Sequence, residues 1–273
     1  MTFLRKIFNF YIDASLHVAL AVYALVRVTM LNFNIEYDEN ISYVIFYGAI
    51  VGYNFLKYAG TAEKYIFVDK TYTKIIQGLS FLAFFLSIYY IFHLPFKILY
   101  RIGGLVVVTV LYLIPLSTTK RNIRSLAGIK VFIVALVWTA STVLLPIINA
   151  NKNVDFNVFI EAIQRFVYVI IIMIPFEIRD LKEDSLQLKT IPQQLGIKNT
   201  KIFGLVFLIP FYLMEFLKDV VDSENLIVMA ILSIITGVLI VFSEENQGKY
   251  YSGFWVESLP ILWWVLLLLM KSL

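Results

Sequence analysis

Read from its N-terminus, the chain is a succession of apolar runs, each close to the length of a bilayer crossing, separated by short polar stretches. Nine such runs can be placed: Ser15 to Leu31, Ile41 to Ala59, Ile75 to Phe92, Ile98 to Leu116, Val131 to Asn149, Phe159 to Glu177, Ile202 to Leu217, Leu226 to Phe242 and Phe254 to Met270. Crossing the hydrocarbon takes roughly 20 mostly apolar residues in a helix. The runs are unbroken rather than alternating, so they predict helices and not the strands of a barrel. No Pro/Gly/Ser-rich linker divides them, and residues 1–273 read as one polytopic domain, an all-α bundle of about nine transmembrane helices. Ahead of the first run, Phe3, Leu4, Ile7, Phe8 and Tyr11 recur at helical spacing beside Arg5 and Lys6, the pattern of a helix lying in the interface. This stretch lacks the small-residue cleavage site of a signal peptide, so it is expected to stay in the mature chain.

Composition agrees with a membrane solvent. Hydrophobic residues make up 60% of the 273 and only 15% are charged, with a mean hydropathy of +0.81. Charge then orients the bundle. Of the 23 Lys and Arg, 16 fall in the N-terminal stretch and in the loops after the even-numbered runs, and 5 fall on the opposite side. Positive residues mark cytoplasmic loops, so the pattern predicts nine crossings with the N-terminus inside, in a bacterial inner membrane. The net charge of +4 is then topology at an anionic leaflet and no footprint of nucleic acid.

The absence of Cys rules out disulfides, thiolate metal sites and cysteine nucleophiles, and two His are too few for a histidine-rich metal centre. Chemistry is concentrated instead in the basic loops after the second, fourth and sixth runs. After the sixth, the chain reads IPFEIRDLKEDSLQLKTIPQQLG and delivers Asp180 and Asp184 four residues apart, on one face if the stretch is helical. With Arg179, Lys182 and Lys189 around them, two carboxylates suit a hard divalent cation and, through it, a phosphorylated substrate. The bland alternative is a solvated loop that ends a span. Thr190-Ile191-Pro192-Gln193 has the form of a capping box with Pro in the first turn, which predicts a new helix there. The fourth run ends near Tyr112 and Pro115, and the following loop opens on Lys120-Arg121, donors suited to a diphosphate or to ordinary positive-inside duty.

These features together resemble the UbiA superfamily of intramembrane prenyltransferases. That family's second aspartate motif, D-x-x-x-D followed by a basic residue, Thr, Pro and Gly, reads here as Asp180, Asp184, Lys189, Thr190, Pro192 and Gly196; the Tyr112/Pro115/Lys120-Arg121 stretch is similar to its tyrosine and lysine segment. The resemblance implies a prenyl diphosphate bound through Mg²⁺, ionised to an allylic cation, and captured by an apolar or aromatic acceptor inside the bundle. Asp180 and Asp184 would then be the metal-binding and catalytic residues, with Asn54, Lys57, Tyr112, Lys120, Arg121, Arg179 and Lys189 around the substrate. The first motif departs from the family. Where it runs N-D-x-x-D-x-x-x-D, this chain keeps Asn54 but places Phe55, Tyr58 and Ala62 at the aspartate positions. Glu63 and Asp69 are potential substitutes, and Lys57 or Lys64 offers a cationic replacement for the metal.

Two expectations follow from the resemblance: a divergent prenyltransferase, or a protein that keeps the fold and an isoprenoid-binding cavity without catalysis. A transporter is a weaker third, since no internal repeat or pair of broken spans is visible. Arg27, Glu161, Arg165, Glu215 and Glu257 lie in or at the ends of the runs, and Glu161 and Arg165 are spaced to satisfy each other at i,i+4.

Overall fold

A computed structural model describes residues 3–58, 71–113, 128–184 and 188–272, and every regular element among them is helical. A surface helix, α1 (Phe3–Asp13), leads into α2 (Leu16–Asn32), α3 (Glu39–Tyr58), α4 (Thr71–Ile91) and α5 (Phe96–Leu113). Next come α6 (Lys130–Thr139) with its continuation α7 (Leu145–Asn149), α8 (Phe156–Arg179), α9 (Ile191–Leu213), α10 (Ser223–Val241) and α11 (Leu259–Ser272). Among the described residues, six helices are long and apolar enough to cross a membrane, or seven if the pair α1 and α2, bent by 56°, counts as one span. The chain is thus a multi-pass α-helical membrane protein. A helix covers each of the nine sequence runs over the residues described, but α3 and α5 do not meet the length and apolarity test of a span.

Local sequence explains the breaks. Ser15 takes a left-handed φ of 60° and turns α1 onto α2. Two π turns, Ala140–Leu144 and Tyr251–Val256, each come just before a proline, Pro146 and Pro260. A proline cannot donate to the carbonyl four residues back, and a widened turn accommodates the loss. Asp155 and Asp222 cap α8 and α10, accepting from Val158 N–H and Glu224 N–H. In α9 the helix breaks at Gly196, whose φ of 75° and ψ of 161° few residues with a Cβ adopt.

α2 is the axis of the bundle, held between α3 and α11 and against the first π turn, while α8 packs on α6 and α9. α4 and α5 sit outermost and show Phe81, Leu82, Phe85, Val106 and Val107 to lipid. Small residues permit close approach where helices cross. A Cβ at Gly204 of α9 would meet Ile174 Cδ1 at 2.6 Å and Ile240 Cδ1 at 3.1 Å. Gly204→Val is therefore expected to cost about 1–3 kcal/mol by overpacking; an unchanged thermal midpoint in detergent would show that α8 and α10 have slack.

Polar contacts between elements gather at two ends. At one, Asp13 pairs with Lys249 (2.8 Å), Lys182 pairs with Glu245 (2.9 Å), and Lys57 Nζ donates to the Ile12 carbonyl (3.2 Å). At the other, Asn149 donates to Asp38 (2.7 Å), Asn157 to Asp219 (2.9 Å) and Lys271 to the Leu31 carbonyl (2.9 Å).

Toward this second end lies a buried ionic network. Arg165, wholly buried, pairs with Glu161 at 2.8 Å and donates to the Leu25 carbonyl at 2.9 Å and to Thr142 Oγ1 at 3.2 Å. Trp263 covers the guanidinium, 4.9 Å from the ring centroid. Glu161 also accepts from Lys218 (2.9 Å) and Asn32 (3.3 Å), and Lys218 reaches Glu215 at 2.7 Å. Burial alone would lower the pKa of Lys218, but Glu161 and Glu215 outweigh it and hold the ammonium above its ordinary value. The i,i+4 pairing expected of Glu161 and Arg165 is present, and it is one edge of a larger network.

Candidate functional site

The first end of the bundle collects the acid loop. α8 ends at Arg179 and tightens into a 3₁₀ turn over Asp180–Lys182, and Asp184 N–H donates back to the Asp180 carbonyl at 2.8 Å. The two acids are therefore one helical turn apart, as their spacing predicts. Each is already engaged by a cation. Arg179 Nε and Nη2 bind the Asp180 carboxylate at 2.7 and 3.3 Å. Lys130, the first residue of α6, reaches Asp184 Oδ2 at 3.1 Å and Glu177 Oε1 at 3.0 Å. Glu177 is only 2% exposed, and neither of its oxygens has a hydrogen bond of good geometry, so its contact with Lys130 is electrostatic.

A second layer lies beside this one. Glu257, displayed just after the second π turn, Lys57 at the end of α3 and Arg179 are close enough to interact electrostatically. Glu257 is surrounded by protein yet keeps partial exposure. The site thus draws on α3, α6, the end of α8 with the loop after it, and the turn before α11. Its two sequence-distant halves are stitched by backbone: Gly128, at φ 73°, donates its N–H to the Leu188 carbonyl at 2.7 Å. That bond joins the end of the loop after α5 to the end of the acid loop.

The other candidate residues fall as follows. Asn54 is buried and its amide donates to the Ala14 carbonyl (3.1 Å) and Ser80 Oγ (2.9 Å), which makes it a tie between α3, α4 and the turn before α2. Lys189 is exposed with a left-handed φ of 44°. Gln193 Oε1 accepts Thr190 N–H at 3.0 Å, one half of the expected box, while the Thr190 hydroxyl stops short of hydrogen-bonding geometry. Lys120 and Arg121 lie outside the described residues, as do Ala62, Glu63, Lys64, Asp69 and Pro115, and nothing is described of the Tyr112 side chain.

Sequence reasoning missed Lys130 and Glu177 as members of the site. Glu177 was readable in principle, since positions 177, 180 and 184 share a helix face. Lys130 was not, because a lysine that opens a span looks like every other positive-inside residue.

Among the described residues no three Asp, Glu or His side chains are grouped to hold an ion, and Asp180 and Asp184 both have cations in place. Mg²⁺ favours octahedral oxygen coordination, through one or two carboxylates together with waters and phosphates. Asp180 and Asp184 would meet such an ion by exchanging their present partners, Arg179 and Lys130. Compared with protein-family profiles, curated protein sequences and solved structures, the chain matches none.

Proposed function

We propose that this protein is a UbiA-like membrane protein that holds a prenyl diphosphate at the Lys130 end of the bundle, with the isoprenoid chain among the apolar helices and the headgroup facing Lys57, Lys130 and Arg179. The supporting observation is Lys130 itself, a largely buried ammonium at the mouth of an apolar bundle that bridges Glu177 in the last turn of α8 and Asp184 in the loop after it. A diphosphate entering here exchanges one anionic partner of that ammonium for another, so the cation needs no new desolvation. In sequence, residues 59–70 carry Lys64 and Lys70, and residues 114–127 carry Lys120, Arg121 and Arg124 with no acid.

Transfer of the prenyl group to an apolar or aromatic acceptor is the activity that the resemblance implies. Ionisation of the diphosphate then relies on Lys and Arg to compensate the leaving group, and the bundle keeps water from the allylic cation. Retention of the isoprenoid without transfer is the second reading, favoured by Phe55 and Tyr58 at two positions where the family carries aspartates. Incubating membranes with radiolabelled prenyl diphosphate and a panel of aromatic acceptors separates the two. Saturable binding with slow transfer is the expected result. Absence of binding would remove both readings.

The proposed orientation has nine crossings with the N-terminus and the Lys130 end in the cytoplasm. Reporter fusions at residues 35, 118 and 272 are expected to read outside, inside and outside. An inside signal at 272 would contradict the count.

A further inference from the structure

Arg27 and Arg165 both lie well inside apolar helices, and they are treated very differently. Arg165 has a carboxylate, a carbonyl and two threonine hydroxyls. Arg27 has none of these: among the described residues its guanidinium has no acceptor, and its Nε is shielded from solvent. What faces it is aromatic, with Tyr37 at 4.2 Å and Trp264 at 5.8 Å from the guanidinium carbon to the ring centroids. The Trp264 indole N–H is also buried without an acceptor. Two adjacent side chains, one of them cationic, therefore present donors and nothing accepts.

An uncompensated guanidinium at membrane depth costs several kcal/mol, and cation–π contacts return about 0.5–2 kcal/mol. The balance favours an oxyanion as the partner of this guanidinium. Its source follows from position. Between Leu16 and Leu31, α2 is buried except for one stripe of Leu16, Leu20, Tyr23, Arg27 and Leu31. Tyr23 on that stripe packs against Tyr43 and Phe46 of α3 and Trp264 of α11, so the stripe runs between those two helices. Arg27 lies five residues before the end of α2, roughly 7.5 Å at 1.5 Å per residue, a depth from which arginine reaches headgroup phosphates. Burial first, and then the Tyr23 and Tyr43 hydroxyls, push the Tyr37 phenol up in pKa, so it remains a neutral wall over the cation.

We infer that Arg27 and Trp264 form a binding site for the phosphodiester of an anionic phospholipid, at the end of the bundle opposite Lys130, with an acyl chain lying along the Leu20 and Leu16 stripe. The site is independent of the prenyl diphosphate reading and shares no residue with it.

Thermal unfolding of the full chain, delipidated in detergent, tests this with phosphatidylglycerol, with phosphatidylcholine of the same acyl chains, and with inorganic phosphate. Phosphatidylglycerol is expected to raise the midpoint at a concentration at which the other two have little effect. Its half-saturating concentration should rise roughly tenfold or more in Arg27→Gln. Trp264→Phe, which keeps the ring and removes the N–H, should raise it several-fold. Equal stabilisation by phosphatidylcholine, or an unchanged response in Arg27→Gln, overturns the proposal, and an equal effect of inorganic phosphate overturns the lipid as its source. Should Arg27→Gln not yield folded protein, Trp264→Phe and Arg27→Lys decide the same question, because Lys keeps the charge and loses the planar fork; unchanged responses in both overturn it.

Discussion

Replacing Glu161 by leucine is expected to destabilise the bundle by about 3–5 kcal/mol, the range seen when one partner of a buried ion pair is removed. Glu161 accepts from Arg165, Lys218 and Asn32 together, so its loss strands a fully buried guanidinium whose remaining partners are neutral. The double variant Glu161→Leu with Arg165→Leu should recover much of that loss, since replacing a buried pair with apolar side chains is often close to neutral. Denaturation of the three proteins in one detergent gives the coupling energy directly. A single variant within about 1 kcal/mol of the parent would mean that water reaches the network. The linked pH dependence has a definite sign. Lys218 carries a raised pKa, so its contribution is present below the ordinary lysine value and fades only as pH climbs through the raised one.

At the opposite end, Lys130→Ala is expected to weaken prenyl diphosphate binding roughly 10- to 100-fold, since a hydrogen bond to a charged group is worth about 1.5–3 kcal/mol. Asp184→Ala should act in the other direction. Lys130 spends part of its field on Asp184 at 3.1 Å, and freeing it should tighten the headgroup several-fold. A metal bridge demands the contrary result, because removing a ligand carboxylate would abolish Mg²⁺-dependent binding. Titration of both variants with and without Mg²⁺ therefore decides between direct cationic recognition and a bridging ion. Loss of binding in Asp184→Ala would sink the cationic reading.

Much of the architecture was legible because lipid imposes one rule along the whole chain: backbone groups must be satisfied within a helix, so unbroken apolar runs are helices. The turn into α9 was legible for a local reason, Pro192 and Gln193 in the first turn after Thr190. What stayed hidden are relations across space. Lys218 is 57 residues from Glu161, and no periodicity links them. Asn54 shows a packing role that its motif position did not reveal: both amide donors are engaged by Ala14 and Ser80. The π turns were invisible because Pro146 and Pro260 read equally well as simple kinks.

The contact between α2 and α11 has a consequence for the order of assembly. His17 bonds locally to Tyr11, but its other partners, Phe254 and Ser258, and the Lys271 that closes on Leu31 all lie more than 230 residues further along the chain. During synthesis, α2 must wait in the bilayer with its imidazole Nε2 and its future α11 face unmatched until α11 is released from the ribosome. Closure of that ring is a late event, since pairing across so long a stretch of chain has to follow the local helix pairs. Chains stalled before residue 254 will expose α2 to whatever holds unassembled membrane helices, and will be the form most readily degraded.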